Sequence, residues 1–296
     1  MHCDGLFTTK EVTVLTKLDE SVWLRPVGDI HRDSDLHADG EWQAWLKYAK
    51  NDPARAIYLL MGDTNDFARA HVRSLLASND IVDGSISEAL QDKANAAVVR
   101  IAEELEPLKD DIVGVLGGNH FFLFSESKGG VTTKEHSDNR LARLLGTDYL
   151  GTMCLLTITL KDINNPRNQA KVRVIAHHGV GGGATIGGSL NRVHRTLNGW
   201  HADVALFGHD HKRGIVPVGD MLKTVSVDGR DILLADSKWV GRTGSFLRGF
   251  APGKASYAVD MAYEPSSIGT IEVQMKLKKN RKTGQVSVAL GGLQPA

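Results

Sequence analysis

Cysteine is scarce in this chain: Cys3 and Cys154 are the only two among 296 residues. They form no Cys-x-x-Cys pair, and two thiols make no disulfide framework in a chain this large. A reducing, cytoplasmic compartment is therefore expected. No apolar run approaches the roughly 20 residues that a membrane helix needs. The opening segment mixes His2, Asp4, Lys10 and Glu11 with apolar residues, and so lacks the charged-then-apolar layout of a signal peptide. Net charge is missing as well. Lys+Arg and Asp+Glu balance at 35 each, so the chain as a whole is no magnet for polyanions, although a local basic face is still allowed. Internal repeats, low-complexity stretches and linkers are absent too. What is present is 42% hydrophobic content, enough to fill the core of one large α/β domain spanning residues 1–296.

Buried strands and amphipathic helices alternate through the first two thirds. Residues 22–27 read as a short strand. Asp39 is then expected to cap a helix in which Trp42, Trp45, Leu46 and Ala49 share one face, and Asn51-Asp52-Pro53 stops it. The continuous apolar runs 57–61 and 112–116 read as strands buried on both faces. Between them Leu90, Ala94, Ala97, Val98, Ile101 and Leu105 mark a long helix ended by Pro107. Leu141, Leu144 and Leu145 mark a shorter helix before Gly146. Residues 153–160, 172–176 and 204–207 are strand-like, with a helix through Leu190, Val193, His194 and Leu197. Residues 271–278 and 285–290 alternate apolar and polar around a turn at 280–284, which is a hairpin pattern. The expectation is an α/β (α+β) fold with a parallel beginning, antiparallel later strands, two mixed sheets, and helices outside.

Five polar motifs fall at the ends of these strands: Asp29-Ile30-His31, Gly62-Asp63-Thr64-Asn65-Asp66, Gly118-Asn119-His120, His177-His178-Gly179 and Gly208-His209-Asp210-His211. Ligands of open α/β sheets bind beyond the carboxyl ends of the strands, so such turns can converge without being near in sequence. Carboxylates, imidazoles and an amide oxygen in this mixture suit two adjacent divalent cations. Such a pair activates water and clamps a phosphoryl group. The donor set suits Mn²⁺, Fe²⁺ or Zn²⁺, and affinity order alone does not choose among them. Of the paired histidines, His177 is favoured as the first residue past its strand, with His178 as the alternative.

In this order the motifs resemble the calcineurin-like metallophosphoesterase family, over residues 22–213. The resemblance implies a four-layer fold, two mixed sheets packed as a sandwich between helices. It implies that Asp29, His31, Asp63 and His211 hold one metal. Asp63, Asn119, His177 (or His178) and His209 hold the other. It places His120 by the transferring phosphoryl group as catalytic residue, with Asp66 fixing its tautomer. A metal-bridging hydroxide would be the nucleophile. The family usually carries an acidic residue after Gly-Asn-His, where this chain has Phe121. That puts the surroundings of His120 in question, and the apolar run 121–124 is open to lining a pocket instead.

Weaker signals complete the reading. The glycine-rich stretch 179–189 is no P-loop, since no Gly-Lys-Ser/Thr follows, and it suits a mobile rim. Arg32, which adjoins a metal motif, is a candidate phosphate contact. Lys276, Lys278, Lys279, Arg281 and Lys282 make the last hairpin basic. The segment 242–249, with Tyr257 and 265–269, resembles the C-terminal part of phage-type metallophosphoesterases, which implies a phage or bacterial setting and makes Arg242 and Arg248 candidate phosphate contacts. Residues 214–296 are expected to add C-terminal strands to the same domain. The expected activity is that of a phosphodiesterase or nuclease-like enzyme with phosphate-ester substrates, nucleic acid among them. The alternatives are a phosphomonoesterase of the protein-phosphatase kind and a non-catalytic metal-binding scaffold. No membrane partner is expected, and the sequence leaves the oligomeric state open.

Overall fold

The computed structural model describes residues 5–67, 84–128, 131–183, 185–227, 229–281 and 283–294. The chain begins with β1 (Phe7–Thr16), β2 (Ser21–Val27), α1 (Asp39–Asn51), β3 (Arg55–Leu60), α2 (Gly84–Leu105) and β4 (Ile112–Val115). A hairpin of β5 (Leu123–Lys128) and β6 (Val131–His136) leads into α3 (Ser137–Leu145). Next come β7 (Met153–Asp162), β8 (Gln169–His177), α4 (Ile186–Leu197), β9 (Val204–Phe207), β10 (Arg213–Val227) and β11 (Arg230–Ser245). The short α5 (Tyr257–Asp260) precedes β12 (Gly269–Thr270), β13 (Glu272–Lys279) and β14 (Val286–Leu293).

Two mixed sheets result. One runs β1-β7-β8-β9-β11-β10, with β12 on β11, and the other runs β14-β13-β2-β3-β4. The helical crossovers make β2, β3 and β4 parallel neighbours, and likewise β8 and β9. Strand β11 lies inside the first sheet and β13 inside the second, so residues beyond 213 are built into both.

A core of Val22, Leu24, Leu59, Leu156, Ile158, Val174, Leu206 and Met275 fills the space between the sheets. Burying each such side chain contributes about 1.5–3 kcal/mol relative to exposure. The outer face of the five-stranded sheet is covered by α1, α2 and α3 through Trp42, Trp45, Val98, Ile101 and Leu141. The outer face of the larger sheet is covered by α4 through Val193 and Leu197. This gives four layers: helices, sheet, sheet, helix. One buried cation ties the second sheet to α1: Arg25 donates to Glu272 at 2.6 Å and also pairs with Asp52. Cys154 is a free, buried thiol, and Cys3 falls outside the described residues.

Local expectations need three corrections. Asp39 is the first residue of α1 rather than its cap; Ala38 holds the cap position with no side-chain hydrogen bond, and Asp39 instead pairs with Arg32. Pro107 ends α2 only by converting it to a 3₁₀ turn, Glu106–Asp111, where its missing N–H falls in the first turn and is not needed. The sequence reading also passed over β1, although Val12 and Val14 alternate with polar residues there and the strand pairs with β7 along its whole length.

Candidate metal centre

Five strand ends meet at one place. Asp29 and His31 follow β2, Asp63 and Asp66 follow β3, and Asn119 and His120 follow β4. His178 follows β8, and His209 and His211 follow β9. The first two turns are laced together by their backbones: Asp29 N–H donates to Gly62 O (3.0 Å), His31 N–H to Asp63 O (3.1 Å) and Arg32 N–H to Thr64 O (3.0 Å). Asp29, His31, Asp63, His209 and His211 all have positive φ, at 48°, 48°, 49°, 74° and 57°. A non-glycine residue there costs on the order of 1–3 kcal/mol and persists only where its surroundings enforce it. The strain is concentrated on the candidate metal ligands.

Two glycines make the approach possible. Gly62 has φ +89°, and an added Cβ would stand 2.7 Å from the Cα of Gly118. A Cβ on Gly118 would strike the Asp63 carboxylate. The turns after β3 and β4 therefore touch backbone to backbone, and Asp63 Oδ1 accepts from the His120 N–H at 2.7 Å.

The side chains gather into two neighbouring ligand sets. Asp29, His31 and His211 form one, and Asp63, His178 and His209 the other; within each set the ligand atoms lie within 4.8 Å of one another. Asn119 completes the second set, its Oδ1 standing 2.8 Å from His178 Nε2 and 2.8 Å from His209 Nδ1. Asp29 joins the sets, since its Oδ2 accepts from the His209 N–H at 2.9 Å while its Oδ1 is 3.4 Å from His211 Nε2. A third group, His31, Asp66 and His120, shares His31.

The donor chemistry fits divalent cations. Asp29 Oδ1 and both ring nitrogens of His31 are buried with no aimed hydrogen bond among the described residues. Orphaned buried polar atoms are rare and call for an explanation, and an ion at this position supplies one. His178 Nδ1 faces the Met61 carbonyl at 2.8 Å, which keeps a hydrogen on Nδ1 and turns Nε2 toward Asp63 and Asn119. Metal-ligating histidines are oriented in this way.

Without an ion, the carboxylates and imidazoles hold one another charged. Burial alone would raise the Asp63 pKa, but His178 holds it well below the usual range. Asp29 is likewise lowered against its burial, by the His211 contact and the His178 charge. His178 is pushed up to about 10, because Asp63 outweighs the burial that opposes it. His120 is pushed up to about 9, with burial again outweighed by the Asp66 hydrogen bond and the Asp63 charge. His209 is lowered, by burial and then by His178.

Of the paired histidines, it is His178, the alternative reading, that faces the cluster. His177 is the last residue of β8; its ring stacks on Phe207 with centroids 5.2 Å apart, and its Nδ1 accepts from the Gly179 N–H. Side chains alternate faces along a strand, so the next residue, His178, points the other way, into the cluster. Burial, with the charges of His178 and His209, pushes the His177 pKa down to about 4.

The three arginines are spoken for. Arg32 pairs with Glu104 and Asp39, both at 2.9 Å. Arg248 meets Glu41 at the surface, also at 2.9 Å. Arg242 is fully buried and donates to Gly208 O and Ser189 O beside Asp210, so it props the Gly208–Asp210 turn from behind. The basic hairpin is also displaced from the site. β13 runs antiparallel to β2, with Lys276 opposite Ser21 at the start of β2, whereas Asp29 follows the end of that strand. Lys278 is held by Asp19 at 2.6 Å.

Phe121 is buried, its ring stacked on His136 with centroids 4.3 Å apart. The carboxylate supporting this turn comes from elsewhere. Buried Asp138, on α3, accepts the Gly118 N–H at 2.9 Å. A buried acid at the start of a helix was the only signal in the sequence, and it is indistinguishable there from an ordinary first-turn aspartate. The glycine-rich stretch ends in a capped helix: Thr185 accepts from the Gly188 N–H, and Ser189 hydrogen-bonds Asp210.

No protein-family model matches the chain, and no curated protein matches it. Among solved structures it is similar to wild-type Vps29 of Entamoeba histolytica complexed with Zn²⁺, at 14% identity and a TM-score of 0.34, covering 91% of this chain and 98% of that one. It is similar also to vacuolar protein sorting 29 of Cryptosporidium parvum, at 13% identity and a TM-score of 0.31, covering 94% and 100%.

Proposed function

We propose that this protein is a dinuclear metal-dependent hydrolase of phosphate esters. The observation that carries the reading is the pair of adjoining ligand sets, with His120 and Asp66 at their edge. Asp29, His31, His211 and Asp63 would hold one ion, and Asp63, Asn119, His178 and His209 the other. Mn²⁺, Fe²⁺ or Zn²⁺ bound there would acidify water and neutralise phosphoryl charge.

The chain's own contribution is proton placement. The Asp66 carboxylate and carbonyl both face His120 Nδ1, so the ring keeps a hydrogen on that nitrogen and turns Nε2 outward. Held in its charged form by Asp66, His120 donates a hydrogen bond from Nε2 to a phosphoryl oxygen and hands its proton to the departing ester oxygen. Diesters are favoured over monoesters on charge grounds. A dianionic monoester needs further fixed cations, and Arg32, Arg242 and Arg248 are all committed to other partners. The cysteine-poor composition supports a cytoplasmic setting, and the C-terminal segment a phage or bacterial one.

The test is hydrolysis of bis(p-nitrophenyl) phosphate and of p-nitrophenyl phosphate by protein stripped with chelator and reloaded with each ion. We expect activity only with metal, and greater on the diester. Activity that survives chelation, or none with any ion, overturns the reading.

A further inference from the structure

We propose that Tyr257, Tyr263 and Lys212 form a stacking platform for a nucleobase that flanks the scissile phosphate, making single-stranded nucleic acid the substrate class of the site. The inference rests on the phosphodiesterase reading above and narrows it.

The segment after β11 is fastened over the loop that carries Asp29 and His31. Phe246 N–H donates to Asp29 O at 2.9 Å, Ala38 N–H to Phe246 O at 2.7 Å and Arg248 N–H to Leu36 O at 2.9 Å. From this anchorage the chain reaches α5. Ser256 caps it, its Oγ accepting from the Val259 N–H at 3.1 Å. At the other end Ala262 adopts φ +51°, a conformation that disfavours a side chain. Tyr263 N–H then reaches back to Ala258 O at 2.9 Å and Ala262 N–H to Val259 O at 3.1 Å, closing the helix in a Schellman turn.

That turn brings the Tyr263 ring against Tyr257, with centroids 5.7 Å apart and planes at 80°. Such a contact commonly buries a small apolar pair. Here it leaves Tyr257 57% and Tyr263 46% exposed. The ammonium of Lys212, the residue after the ligand His211, stands 5.9 Å from the Tyr263 ring centroid. No carboxylate pairs with it among the described residues. A cation next in sequence to His211 therefore stands beside a pair of half-exposed aromatic rings. A purely apolar partner has no use for the ammonium, and a bare phosphate none for the rings. A nucleotide uses both, since base–aromatic stacking tolerates any base and the backbone phosphate takes the cation.

The experiment measures anisotropy of labelled single-stranded hexamers on manganese-loaded protein, using phosphorothioate linkages that resist hydrolysis. A thymidine hexamer is compared with an abasic hexamer of equal charge. Wild type should bind the thymidine form about tenfold more tightly. Tyr263→Ala should abolish that preference, Tyr263→Trp should restore it, and the abasic affinity should stay the same throughout. Equal binding of the two hexamers by wild type, or a preference that survives Tyr257→Ala and Tyr263→Ala together, overturns the platform and leaves the rings to a protein partner. Hydrolysis of the unmodified hexamer is scored separately. Base-dependent binding without cleavage would sink the hydrolase reading and leave the platform standing.

Discussion

Asp66 offers two oxygens to a single nitrogen of His120: its carboxylate Oδ1 lies 2.8 Å and its backbone carbonyl 2.9 Å from Nδ1. Both are acceptors, so the pair fixes the tautomer and the charge of the ring together. Asp66→Asn keeps the polar contact and removes the charge. The alkaline limb of the pH–rate profile should then move to lower pH, because the imidazolium loses its largest supporting partner. His120→Asn should lower kcat by about 10²–10⁴-fold. Bound metal, measured by elemental analysis, should not change in either variant.

The two adjacent histidines separate cleanly. His178→Ala should weaken metal binding by about 100-fold or more, while His177→Ala retains it. Because His178 is charged in the metal-free cluster, loading should also release protons near pH 7. Titration calorimetry in two buffers of different ionisation enthalpy measures that release. Equal heats in the two buffers would refute the charged state.

His177 should make the metal-free fold acid-sensitive. Its pKa is near 6.5 when unfolded and about 4 when folded. Between those values the unfolded chain binds more protons, so stability is full above pH 6.5 and declines as pH falls toward 4. His177→Gln should flatten that stretch of the urea midpoint against pH.

Buried and exposed arginines should behave differently. Arg242→Met leaves the carbonyls of Gly208 and Ser189 without this donor and takes the buried cation away from Asp210, and should cost about 3–5 kcal/mol in denaturant unfolding. Arg248→Met breaks only a surface pair with Glu41 and should cost under about 1 kcal/mol.

These contrasts mark what the sequence could and could not convey. Strand ends were legible because apolar runs such as 57–61 stop at glycine, and every motif read there arrives at the cluster through one of its residues. The alternation of side chains along β8 decided between His177 and His178, and that depends on register against β7 and β9, which lies outside the local sequence. The partners of the arginines were illegible for a related reason. Proximity in sequence to a ligand, as in Arg32 beside His31, says nothing of which carboxylates fold against the guanidinium. Asp138 was invisible because it reaches Gly118 across 20 positions of chain.

Asp29, Asp63 and Asn119 hang from one sheet of the sandwich, and His178, His209 and His211 from the other. An ion seated among them would add a rivet at one edge of two slabs already joined by the apolar core and by bonds such as His178 Nδ1 to Met61 O and Phe246 N–H to Asp29 O. Occupancy would then stiffen their mutual alignment as well as set the chemistry at their edge, so that shear between the slabs would loosen the ion's seat.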